Sequence, residues 1–514
     1  MPAFATQHGV LILTWLRVSG LGVGLLHSGT GSGLALERLA QASIMKAATT
    51  VEVGSPSRLA QRAGIAILGC IAVSVTIVFS GINRPLWEDE VLHFAFGGYS
   101  STQDVWPAIV RSITHGLNLK QTGVYMLVDY WLLKAFGASA IWLRMPSSIG
   151  ALVLFSGAVC VLRTRGFSYA WQIAVLLLLV SENFLMYFVA EARPYMLLAA
   201  TPVGVLAYYG ADVHRRHWFI SVVGWISALV GAAIHPFFLP YYFLVVGLTY
   251  ADRISWNLRR IAAKDIWRHL QPAMLSLTLA IYFGVGMLTW MPRQQQLADP
   301  AFQFVPRNSL PGNVVFYHFE FLFDMATHVH PRVMLLFMFI FLAALGAIAI
   351  LALARSSCRS LLSPLALIFG ALLVSGLLSL TSYLAHYWIL PRQWVASIAL
   401  TCVGTVWLCA AGAELLPAGA RRGAGIVVAI FAAFRAEAAV VSQFDTIDRW
   451  RAEQSTIALN AGHVSLDQLT RGGVDNHHIN NYPEWVALAN ENVLVGGPVW
   501  PIFQRFYAPV GGRP

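Results

Sequence analysis

Three consecutive acids follow an indole in this chain, at Trp87-Glu88-Asp89-Glu90. A carboxylate within hydrogen-bond reach of an attacking hydroxyl can take its proton. Asp89 is therefore a candidate general base; the plainer alternative is an acid that hydrates a helix end. Neighbouring positions on a helix cannot all face one way. Glu88 and Glu90 then either hold an acceptor or face water. A second group is Glu191-Ala192-Arg193-Pro194-Tyr195, and a third is Leu390-Pro391-Arg392-Gln393 with His386 and Tyr387 just before it. Guanidinium stays charged and matches phosphate oxygens two at a time. Arg193 and Arg392 are thus candidate phosphate ligands, unless they only snorkel to lipid headgroups. Glu191 is placed to orient Arg193 or to touch a substrate, and Tyr195 lies one helical turn on. Lys120 is a further candidate for phosphate. His235, beside Pro236, is either a binding residue or a satisfied histidine at a helix end.

What must position these residues is a membrane bundle. The chain of 514 residues is 57% hydrophobic and 11% charged, where soluble domains carry about 25% charged residues. Mean hydropathy is +0.63. The net charge of +10 fits basic cytoplasmic loops facing anionic lipid. No basic-aromatic stripe suits a nucleic acid. The five cysteines, Cys70, Cys160, Cys358, Cys402 and Cys409, fall in apolar spans or a short basic loop, and no disulfide is expected.

Hydropathy predicts a first span over 63–82. Others follow at about 141–162, 169–190, 194–213, 218–235, 236–250, 272–291, 332–353, 364–385, 394–415 and 424–442. The stretch 122–136 is apolar but short, and it carries Asp129 and Lys134. It is read as a helix lying in the interface within a long outer loop. This gives an all-α polytopic membrane protein of about eleven spans. Residues 1–62 form a cytoplasmic, partly disordered segment with a weak extra span or signal-like stretch at 10–26. Residues 63–442 form the membrane domain, and 443–514 a small outer region.

Charge tests the sidedness. Expected inner loops carry Arg163 and Arg165; Arg215 and Arg216; Arg253, Arg259, Arg260, Lys264 and Arg268; Arg355 and Arg359; Arg421 and Arg422. The short outer turns near 191–193 and 386–393 carry one arginine each. That is the positive-inside pattern. It gathers the acids, arginines and aromatics named above on the outer face. Arg435 and Glu437 fall inside the last span, where mutual screening is the simplest reading.

At these residues the sequence resembles the GT-C glycosyltransferases that use polyprenyl-phosphate sugars. It looks most like the group holding protein O-mannosyltransferases, the lipid A aminoarabinose transferase and lipopolysaccharide-core transferases. Leu86-Trp87-Glu88-Asp89-Glu90 resembles the Trp-x-Asp-Glu of the first outer loop in that family. The run from Tyr125 through Leu143-Arg144-Met145-Pro146 is similar to its interfacial helix and Leu-Arg-x-Pro element. Ser181 through Tyr195 resembles its Ser…Glu-x-Arg-x-Tyr segment, and Leu390-Pro391-Arg392 its late Pro-Arg-Tyr. Two positions depart from the pattern: Thr122-Gly123 stands where Pro-Pro is usual, and Gln393 where tyrosine is common.

The resemblance implies Asp89 as base and Arg193 and Arg392 as phosphate ligands. The implied reaction moves a sugar from a polyprenyl-phosphate carrier to an envelope glycolipid, polysaccharide or protein. The implied setting is the outer face of a bacterial inner membrane, with no cofactor and no metal required. A transporter or flippase of polyprenyl-linked glycans is the alternative. That reading expects polar residues continuing through the membrane, or helices broken at its middle.

Overall fold

The computed structural model describes Glu90, His93, Phe96, Gly97 and Tyr99, and then residues 101–114, 122–137, 140–210 and 218–257. It also describes a few positions between 274 and 281, and residues 331–384, 391–421 and 423–437. The expected span 63–82, Glu88, Asp89, Lys120 and the two terminal regions lie outside the described residues. Every regular element described is helical. In chain order these are α1 (Thr102–Thr114), α2 (Val124–Phe136), α3 (Ala140–Thr164), α4 (Tyr169–Val180), α5 (Asn183–Val189), α6 (Tyr195–Gly210), α7 (Trp218–Ile234) and α8 (Phe238–Asn257). After them come α9 (Pro331–Ala354), α10 (Leu362–Leu384), α11 (Val395–Ala413) and a last helix, α12, over 423–437. Short 3-10 turns, Ser356–Leu361 and Pro391–Trp394, lead into α10 and α11.

These bounds follow the hydropathy reading closely, because spans are set by runs of apolar residues rather than by distant contacts. Three helical segments, Ile141–Thr164, Ser356–Leu380 and Val395–Ala413, are long and apolar enough to cross a membrane. Large apolar side chains such as Ile350, Leu353 and Phe434 stand exposed on the outer faces of α9 and α12. A water-soluble bundle would bury them; a lipid-facing one need not.

The centre of the bundle is α6 and α11. Both are apolar on every face, and almost every residue of each is buried, as expected for helices ringed by others. α6 packs most extensively on α3 and α7, and also meets α8 and α11. Small residues allow the close crossings. A methyl group at Gly204 of α6 would collide with Ser227 of α7.

One expected span is not continuous. The stretch 169–190 is interrupted at Ser181-Glu182. Ser181 closes α4, and its hydroxyl donates to the Leu178 carbonyl at 2.6 Å. Glu182 has extended backbone (φ −84°, ψ 94°) and precedes α5. Its buried carboxylate meets Arg435 of α12, Nη2 to Oε1 at 2.5 Å. This corrects the reading that Arg435 is screened by Glu437. Residues two apart do not face each other on a helix, and a guanidinium in a packed bundle needs a partner across helices.

Candidate active site

Glu90, the last of the three consecutive acids, meets the Glu-x-Arg turn in the fold. Glu90, His93 and Phe96 are helical, fully buried and spaced three apart, so they share one helix face. The Glu90 carboxylate takes two parallel bonds from Arg144 near the start of α3, Nε to Oε1 at 2.9 Å and Nη2 to Oε2 at 2.5 Å. Oε1 also accepts the backbone N–H of Ala192 at 2.7 Å. Both side chains of the pair are fully buried. A bidentate, fully desolvated pair of this kind is geometrically specific. It costs heavily to break, because either charge alone would be stranded.

The turn between α5 and α6 is pinned from several sides. The Arg193 N–H bonds back to the Glu191 carbonyl at 2.8 Å, which tightens the backbone around Ala192. The Ser147 hydroxyl donates to the Arg193 carbonyl at 2.9 Å. Because that proton is used, the Tyr125 hydroxyl, 2.9 Å from Ser147 Oγ, is the donor of the next bond. Burial and the nearby Asp129 push the Tyr125 phenol well up from its ordinary value, so it keeps its proton. Ser148 adds a bond to the Val189 carbonyl at 3.1 Å. α3 therefore holds the turn by Ser147 and Ser148, about two helical turns from its start, and α2 backs Ser147 with Tyr125 in its first turn.

The Arg193 side chain is gripped separately. Its Nη1 lies 3.3 Å from His93 Nε2, and the other ring nitrogen, Nδ1, lies 2.7 Å from Asp129 Oδ2. All three side chains are buried. Burial first, and then the charge of Arg193, hold the His93 imidazole well below its usual range, so it is neutral. Burial and the Glu90 carboxylate push the Asp129 carboxyl up, and Arg193 pulls against them. The Arg193 guanidinium carbon also stands 5.8 Å from the centre of the Tyr195 ring, at the outer range of a cation–π contact.

Other sequence-chosen residues fall around this core. Glu191 is fully buried in the turn, and Tyr195 is buried at the start of α6. His235 is buried with its ring centre 6.3 Å from that of Tyr195. His235 Nδ1 accepts the Phe237 N–H at 3.1 Å and so caps the entry to α8. Thr122 donates to the Ala233 carbonyl, joining the start of α2 to the end of α7. Gly123, just before α2, takes φ +81°, a left-handed conformation that favours glycine. Arg392 lies in the short turn leading into α11, which packs against α5 and α6. Gln393 and Trp394 of that turn are buried. No group of three His, Cys, Asp or Glu side chains among the described residues is arranged to hold a metal.

Sequence reasoning did not single out His93, Asp129, Arg144 or Ser147 as site residues. Asp129 was legible only as an unexpected charge on an apolar helix. His93 carried a usable signal, since it stands three residues after Glu90, on the same helical face.

No protein-family model and no curated protein matches this chain. Two solved structures are similar to it over most of its length. One is the crystal structure of ArnT from Cupriavidus metallidurans in the apo state, 15% identical over 69% of this chain and 80% of that one, with a TM-score of 0.31. The other is ArnT from Cupriavidus metallidurans bound to undecaprenyl phosphate, 14% identical over 68% and 79%, with a TM-score of 0.33. Likeness at that level leaves function to be argued from the site.

Proposed function

We propose that this chain is a membrane glycosyltransferase that moves a sugar from a polyprenyl-phosphate carrier to a hydroxyl of an envelope acceptor. The observation that carries the reading is the double tie of Glu90 to Arg144 and to the backbone of Ala192. It brings Glu90, the residue next to Asp89 in sequence, onto the turn that carries Arg193. A base and an anion-binding guanidinium on one surface are what group transfer from a phosphate requires.

In this mechanism the acceptor oxygen attacks the anomeric carbon while Asp89 takes its proton. The bond from that carbon to the phosphate oxygen breaks, and the electron pair stays on the lipid phosphate. Arg193, with Arg392, stabilises that developing charge. One displacement inverts the anomeric centre. A single phosphate monoester is neutralised by two guanidinium groups, so the route needs no metal and no cofactor. Glu191, Tyr195 and His235 are the residues proposed to meet the sugar or the acceptor, with Glu88 a further candidate and Lys120 a candidate for the phosphate. The positive-inside pattern supports an outer-face position for this surface on the inner membrane.

The test uses the full chain in proteoliposomes with polyprenyl-phosphate sugars extracted from its host. Sugar transfer and released polyprenyl phosphate are both measured. Asp89→Asn is expected to slow transfer by about 10²–10⁴-fold, with the thermal unfolding transition retained. Transfer at the wild-type rate would remove Asp89 as base. Mass spectrometry of envelope glycolipids, with and without the protein, identifies the acceptor.

A second reading has one observation in its favour. The interruption at Ser181-Glu182 and the Glu182–Arg435 pair carry charge into a span, as a carrier of lipid-linked glycans would. Movement of the labelled donor to the other leaflet with its glycosidic bond intact would select it.

A further inference from the structure

The interruption at Ser181-Glu182 lies at the head of the element that ends on the proposed site. α5 begins at Asn183 and runs for seven residues, about 10 Å at the rise of an α-helix. It gives way to the turn that carries Arg193. Both ends of α5 are tied to other helices. At its far end the Val189 carbonyl accepts from Ser148, and the Ala192 N–H donates to Glu90. At its near end Glu182 meets Arg435 of α12, Nη2 to Oε1 at 2.5 Å.

α12 reaches that point along α4. Toward the bundle it presents small residues, with Gly425, Ala432 and Ala436 buried. Away from it stand Val427, Ile430 and Phe434, which are exposed. A methyl group at Gly425 would lie 3.2 Å from Ala170 and Trp171, at the start of α4. Arg435 is ten residues further along α12, and Glu182 is just past the end of α4. The two helices therefore run side by side in one direction, and the ion pair closes their seam where α4 stops.

Stability alone does not call for these charges. An unbroken apolar helix over 169–190 would satisfy its own backbone inside a membrane. A buried ion pair gains little over apolar residues of the same size. What the pair supplies is geometry. Glu182 is at once the acid that Arg435 holds and the extended residue (φ −84°, ψ 94°) that redirects the chain from α4 into α5. A fixed carboxylate there fixes the start of α5, and a short helix carries that placement to its other end.

We propose that Glu182 and Arg435 are positioning residues: their hydrogen-bonded pair sets the placement of α5, and through it that of the Arg193 turn toward the lipid phosphate. The proposal rests on the reading of Arg193 as a phosphate ligand given above. Neither residue touches the substrate; α12 takes part in donor binding from a distance, through α5.

The experiment measures binding of farnesyl phosphate to the detergent-purified full chain by native mass spectrometry, beside its thermal unfolding. Arg193→Gln serves as the reference and should abolish saturable binding. Glu182→Leu combined with Arg435→Met removes both charges and their bond at similar volume, so the unfolding temperature should hold or rise. Affinity of this apolar double variant should nevertheless fall roughly tenfold, because a misplacement of about 1 Å caused far from a site is costly at the site. Glu182→Gln combined with Arg435→Gln is equally uncharged but keeps an amide bond across the break, and should stay within about threefold of the wild type. A purely structural pair would move unfolding temperatures and leave the affinities alike. If the apolar double variant binds like the wild type, or the two double variants bind equally, the positioning role is overturned; loss of binding in Arg193→Gln then leaves the phosphate reading standing. Should the apolar double variant fail to fold, Arg435→Lys decides. An ammonium keeps the charge without the planar fork, so affinity should fall by about threefold, and wild-type affinity overturns the role. If Arg193→Gln itself binds farnesyl phosphate normally, the phosphate reading fails and this proposal with it.

Discussion

Arg144 and Arg193 are both buried in one cluster, on neighbouring elements, and the protein treats them oppositely. Arg144 donates two parallel bonds to Glu90, and the same carboxylate accepts the Ala192 N–H. It ties Glu90, α3 and the α5–α6 turn into one piece. Arg193 is held through its backbone carbonyl by Ser147 and through Nη1 by a neutral ring. The difference separates an arginine that ties elements together from the one proposed to meet the phosphate. Both are buried; Arg144 donates to a carboxylate through two parallel bonds, and Nη1 of Arg193 faces an imidazole.

Breaking the Arg144–Glu90 pair should produce the largest effect. Arg144→Met strands the Glu90 carboxylate and should cost about 3–5 kcal/mol of stability, read as a fall in the thermal unfolding temperature. Adding Glu90→Met should restore much of that stability without restoring transfer. If the single variant unfolds like the wild type, the contrast between the two arginines collapses.

A smaller effect is expected at His93, and its sign is set by the depressed pKa. The native state requires a neutral ring, with Arg193 against one nitrogen, Asp129 against the other and Glu90 on the same helical face. The unfolded ring takes up a proton near its ordinary value of 6.5. The stability this residue contributes is therefore full above that pH and is lost as the pH falls below it. Unfolding temperatures of the wild type should decline more steeply with acid than those of His93→Gln. Parallel curves would remove the neutral wedge from the description.

The smallest change probes the backbone hold. Ser147→Ala deletes the donor to the Arg193 carbonyl and should cost about 0.5–1.5 kcal/mol. It should weaken farnesyl phosphate binding less than Arg193→Gln does. An effect equal to that of Arg144→Met would mean that the turn depends on Ser147 as much as on the ion pair.

The spans were readable because twenty apolar residues in a row have few alternatives. The helix over Val124–Phe136 was readable because it is too short to span and carries Asp129 and Lys134. Arg193 stood out because an arginine at an outer turn is unusual in a chain this apolar. The partners of Arg193 did not. His93 is distant from it by a hundred positions, and Asp129 bonds to that ring. Such pairings depend on how helices cross, which hydropathy does not encode. The interruption at Ser181-Glu182 was hidden for the same reason, since the sequence there stays apolar on both sides. Only the cross-helix meeting with Arg435 accounts for it.

α3 also sets a dimension. Arg144 and Arg163 lie nineteen residues apart on this one 25-residue helix, about 28 Å at the rise of an α-helix. The hydrocarbon layer is about 30 Å thick. One rigid rod therefore carries, at one end, the arginine that clasps Glu90 and, at the other, a cation expected among the inner headgroups. The depth of the proposed site in the bilayer is gauged by a covalent ruler. A thinner or thicker membrane has to deform around this protein, because the distance from Arg163 to Arg144 is fixed by the helix.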